Sequence, residues 1–102
     1  MTTYNKLVRD NIPEIILNNG EIPKVRTLSD DEFLKELEKK LVEEVNEYIL
    51  SKDETELADI AEVLFAICKA KGISEDRLLE LRENKNAKNG AFNRKIFLIS
   101  KE

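Results

Sequence analysis

Glu43-Glu44-Val45-Asn46-Glu47-Tyr48-Ile49-Leu50-Ser51-Lys52-Asp53-Glu54-Thr55-Glu56-Leu57-Ala58-Asp59 is the stretch that decides the fold. Upstream of it apolar residues recur at helical spacing from about Asp31 to Leu50, and downstream the same period runs from Glu54 to Lys71. Ser51-Lys52-Asp53 interrupts the pattern and supplies a new N-cap. Two long helices joined by so short a connection must lie antiparallel, as an αα-hairpin. On a helical wheel Phe33, Leu34, Leu37, Leu41, Val42, Val45, Tyr48 and Ile49 form the apolar arc of the first helix. Glu44 falls inside that arc, Glu47 on its edge, and Glu43 points away to water. On the second helix Ile60, Val63, Ala66, Ile67 and Ala70 form a buried face from which Glu56 and Asp59 project.

Residues opposed across a hairpin have position numbers with a constant sum, and Glu44 with Asp59 shares its sum with Glu47 and Glu56. Both pairs are therefore symmetric about the turn. Acids three residues apart stand one turn apart on each helix, at matching heights, so all four side chains can converge. Carboxylates gathered in a partly dry place repel one another and are costly to desolvate, which calls for a cation. All-oxygen ligation selects Mg²⁺, with Mn²⁺ as the alternative, over zinc or copper. An acid on a helix is commonplace by itself, and Glu38 also falls on the apolar arc with no visible role. The matched spacing of four is what singles this set out.

Outward from the hairpin, Asn11 to Leu17 reads as a short helix with Pro13 at an early position, closed by Asn18-Asn19-Gly20. Lys24 to Leu28 alternates as a short strand or an extended arm would, and Ser29 or Asp30 can cap the first long helix with Glu32 near the capping-box position. Gly72 stops the second long helix, and Ser74 opens another that runs to Asn89-Gly90. Arg94 to Ser100 is rich in apolar and β-branched residues, so a short two-stranded pairing with the arm is expected. The expected fold is all-α: one antiparallel helical domain over residues 1–102, with that small β element added.

Leu, Glu, Lys and Ala dominate the 102 residues while Gly (3) and Pro (2) are scarce, which favours long helices. A net charge of −4 argues against a broad surface for duplex nucleic acid. Histidine is absent and there is one cysteine, so no zinc cluster, disulfide framework or Ser-His pair can be assembled within the chain. Cys68 lies in an apolar run and reads as core. Met1 to Arg9 lacks the apolar run of a signal peptide and no stretch is long enough to span a bilayer, so a cytoplasmic protein without membrane contact is expected. The second long helix is apolar nearly all round, with Leu57, Leu64, Phe65 and Cys68 outside the acid-bearing face, which calls for cover from other helices or another subunit.

Glu43-Glu44-Val45-Asn46-Glu47 followed by Glu56-Leu57-Ala58-Asp59 resembles the EExxE and ExxD pattern of the all-α nucleotide pyrophosphohydrolases, the MazG-like superfamily. The opening Tyr4-Asn5-Lys6-Leu7-Val8-Arg9-Asp10 and the segment Asn89-Gly90-Ala91-Phe92-Asn93-Arg94-Lys95-Ile96 look like its phosphoribosyl-ATP pyrophosphohydrolase-like subgroup, with Gly90-Ala91 where that subgroup has two adjacent glycines. The resemblance implies Mg²⁺-dependent cleavage of a nucleoside triphosphate to monophosphate and pyrophosphate. It makes Glu44, Glu47, Glu56 and Asp59 the metal ligands, with Glu43 supporting them, and it leans toward a homodimer or tetramer. In such a site Glu47 or Glu44 takes a proton from the attacking water. Lys85, Lys88, Arg94 and Lys95, with Lys6 and Arg9 from the arm, are the bases available for the outer phosphates. The alternatives are the histidine-pathway hydrolase acting on phosphoribosyl-ATP and a helical interaction module without catalysis.

Overall fold

Ser29 fixes where the main helix begins: its hydroxyl accepts from the Glu32 N–H at 3.3 Å while the Glu32 carboxylate accepts from the Ser29 N–H at 3.3 Å, a closed capping box. Arg26 clamps the same carboxylate at 2.8 Å and, with the cap, holds it down at a pKa of about 2. The computed structural model describes residues 2–102, and among them forms four helices: α1 (Ile12–Asn18), α2 (Asp30–Ser51), α3 (Glu54–Ala70) and α4 (Glu75–Asn89). Between α2 and α3 stand only Lys52 and Asp53. Lys52 turns the chain with a left-handed φ of 61° and donates to the Tyr48 carbonyl at 2.7 Å, and Asp53 then accepts from the Thr55 N–H at 2.9 Å as the N-cap of α3. The hairpin expected from the sequence is thus formed, and α2 against α3 is the dominant helix contact.

A lysine in left-handed backbone is strained by about 1–2 kcal/mol. Lys52→Gly is expected to stabilise the chain by about 0.5–1 kcal/mol, part of that relief being offset by the greater unfolded-chain entropy of glycine. Urea midpoints compared at equal slope measure it; a lower midpoint would mean that the Lys52 side chain holds the turn by other means.

The core is thin. Leu37 is 3% exposed, Val63 and Cys68 are 8%, and Glu44, at 7%, is as buried as they are. Cys68 accordingly takes the core place its sequence context gives it. Val42, Val45 and Ile49, expected in the buried arc of α2, stay exposed, because the single α3 packed against α2 covers only part of so wide a face. Leu57 and Leu64 remain open on α3 for the same reason. At 18.0 Å the radius of gyration exceeds the roughly 13 Å of a compact chain this long.

The small β element does not form: among the described residues there is no strand. Arg26 is tied to the start of α2. Lys95 adopts φ 57°, a left-handed kink that interrupts any extended run from Arg94. No helix among the described residues is long and apolar enough to cross a membrane.

Candidate metal centre

Four turns of the hairpin carry the acids. Glu44 and Glu47 follow each other on α2, Glu56 and Asp59 on α3, and the tight turn sets them at matching heights. One carboxylate oxygen from each of Glu44, Glu56 and Asp59 lies within 4.8 Å of the others, and Glu43, Glu44 and Glu47 form a second such group. Glu44 belongs to both groups and is the buried hinge between them, Glu47 is exposed, and Glu43, Glu56 and Asp59 are half-buried. All four expected ligands line one cleft of about 310 Å³, faced by Lys6, Arg9 and Lys40.

Burial pushes the Glu44 carboxyl above its ordinary pKa, repulsion from Glu47 and Asp59 adds to this, and Lys40, 3.5 Å away, works against it. Glu56 is raised too, first by burial, then by Glu47, Asp59 and Glu44, and its protonated form gains further by donating a hydrogen bond to Glu47. Glu44 Oε2 and Glu56 Oε2 are both buried and, among the described residues, meet no hydrogen-bond donor. Buried acceptors of this kind are uncommon, and here they sit amid mutually repelling acids. A hard divalent cation satisfies the orphaned oxygens and the excess charge together, so the donor set fits Mg²⁺ or Mn²⁺.

The arm before α1 closes one wall. Arg9 donates to Asp59 Oδ1 at 2.7 Å, and Lys6 stands 3.5 Å from Glu43. Glu43 therefore does not turn to water as its wheel position suggests: Lys6 and Lys40 draw it against the wall. Lys40 was not singled out from the sequence, although its i, i+3 and i, i+4 spacing to Glu43 and Glu44 is the signal that finds it. Lys85, Lys88, Arg94 and Lys95 are exposed on and after the far part of α4 and do not line this cleft.

The chain is similar to an uncharacterized protein of Mycolicibacterium smegmatis, 57% identical over 42 residues, which make up 41% of this chain and 43% of that protein. The similarity thus spans less than half of either chain. No protein-family model matches the sequence, and no solved structure matches it.

Proposed function

We propose that this chain is a nucleotide pyrophosphohydrolase of the MazG-like kind, which holds Mg²⁺ through Glu44, Glu47, Glu56 and Asp59 and cuts a nucleoside triphosphate into monophosphate and pyrophosphate. The observation that carries the reading is the pair of buried oxygens on Glu44 and Glu56, without a donor among the described residues, in a cleft lined by all four acids. The motif resemblance supports it independently.

Mg²⁺ bound there supplies charge neutralisation for the phosphates and Lewis acidity toward water. The rest falls to the chain. Water oxygen forms a bond to the α-phosphorus, the bond from that phosphorus to the bridging oxygen breaks, and pyrophosphate leaves with its electron pair. Glu47 is the one acid of the four open to solvent, which supports it as the group that takes the proton from water, with buried Glu44 as ligand. Lys6 and Arg9 bring positive charge to the cleft for the phosphate oxygens. Arg9 donates to Asp59, and with that carboxylate given over to a cation its guanidinium would be free to meet the phosphates.

A panel of nucleoside triphosphates with Mg²⁺, read for pyrophosphate and monophosphate separately, tests this. Both products in equal amounts are expected, with none in EDTA. Orthophosphate would move the cleavage to another bond, activity confined to phosphoribosyl-ATP would reassign the substrate, and no turnover with no Mg²⁺ binding would leave a helical interaction module.

A further inference from the structure

Two unpartnered features of the chain match one another. The first is an open groove of about 1250 Å³ beside the acid cleft, sharing Glu44, Asp59, Arg9 and Lys40 with it. Its apolar walls include Leu7, Ile15, Phe33, Leu37, Val63 and Phe65. That volume exceeds the range of small-molecule pockets, about 300–1,000 Å³, and suits a length of polypeptide. The second is the segment after α4, where Phe92, Ile96, Phe97, Leu98 and Ile99 are between 72% and 97% exposed. A contiguous apolar run left this open marks an interaction site.

We propose that residues 90–102 of one copy seat in this groove on a second copy, the exchange running both ways in a dimer. Charge is complementary: six acidic against three basic side chains line the groove, whereas the segment carries Arg94, Lys95 and Lys101 against Glu102. The area suffices. Each Phe offers roughly 150–250 Å², and with Ile96, Leu98 and Ile99 added on both copies the contact reaches the roughly 800 Å² per partner of a stable interface. Reach favours the second copy over the same chain. The groove borders Ile73 to Glu75 at the start of α4, and the segment leaves from the other end of that 15-residue helix, about 22 Å away. Returning within one chain would use about seven extended residues as a strap, leaving Phe92 and Ile96 outside the groove. In the exchanged arrangement the whole run inserts, with Arg94 and Lys95 at the acidic rim.

Sedimentation velocity and photo-cross-linking test this without reference to turnover, so failure of the nucleotide reading leaves it standing. The full chain is expected to sediment at twice 11.8 kDa. Phe97→Asp with Ile99→Asp is expected to weaken dimerisation at least about a hundredfold, with helical circular dichroism unchanged, whereas Ile22→Asp, exposed and away from the groove, leaves the dimer intact. For the cross-link, an isotope-labelled chain with p-benzoylphenylalanine at position 97 is refolded from urea together with unlabelled chain. Labelled position 97 joined to unlabelled groove peptides around Phe33 is the expected product. A monomeric chain, a dimer indifferent to the double substitution, or cross-links confined to one chain would overturn the proposal.

Discussion

Glu44→Gln is expected to lower Mg²⁺-dependent pyrophosphate release at least about a hundredfold, the loss that even outer-shell partners of a metal bring, while raising the melting temperature of the metal-free chain. The two effects have one cause. Glu44 is 7% exposed, its Oε2 has no donor among the described residues, and Glu47 and Asp59 repel it. Glutamine keeps the shape and removes the charge, relieving about 1 kcal/mol or a little more of desolvation and repulsion after the loss of the Lys40 ion pair is set against it. For a domain of this size that is roughly 4–8 °C. Adding Mg²⁺ at about 100 times its Kd stabilises the unaltered chain by about 2.7 kcal/mol and the variant far less, so the order of melting temperatures reverses. Asp59→Asn is expected to match the activity loss with a smaller gain in stability, since Asp59 also gives up its 2.7 Å bond from Arg9. Equal turnover in both variants, or melting curves indifferent to Mg²⁺, would end the metal-centre reading.

The same pair of raised carboxyls sets how metal-free stability varies with pH. A carboxyl whose folded pKa lies above its unfolded value adds stability that is fully present below the unfolded pKa and is lost as pH rises through the folded one. Glu44 and Glu56 both lie above the ordinary 4.5. The metal-free chain should therefore melt higher near pH 5 than at pH 7, and Glu44→Gln should flatten that slope. Below 4.5 the trend turns, because Glu32, held at about 2, and the lowered Asp53 lose their capping bonds as they protonate.

The hairpin was legible because its signals are local: a helical period, a two-residue break and an N-capping Asp53 agree on one geometry, and the paired spacing of the acids follows from that geometry alone. What escaped the sequence was tertiary. Whether Val42, Val45 and Ile49 are covered depends on how many helices reach that face, which a wheel does not encode. Glu43 reads as solvated until an arm from the far side of α1 brings Lys6 to it. Arg94 to Ser100 has strand-like composition, yet composition names no partner edge, and the kink at Lys95 removes the regular backbone a strand needs.

Leu37→Ala is expected to cost about 2–3 kcal/mol, toward the lower part of the usual range for a buried leucine. Leu37 is the most buried side chain of the thin core, but it also borders the large groove, so the space it vacates opens to that groove and its walls can partly close in. A small domain has little stability to spare, and a fall of roughly 10–20 °C in melting temperature follows. Leu50→Ala, at 85% exposure on the same helix, is expected to change stability by less than about 0.5 kcal/mol. The position matters for the centre as well: Leu37 lies two turns before Glu44 on one face of α2, so the packing that anchors it against α3 also fixes the height of the buried carboxylate. Loss of Mg²⁺-dependent stabilisation should then accompany the loss of fold, at temperatures where far-ultraviolet circular dichroism already reports unfolding. A cost below about 1 kcal/mol would mean that Leu37 does not anchor α2 against α3.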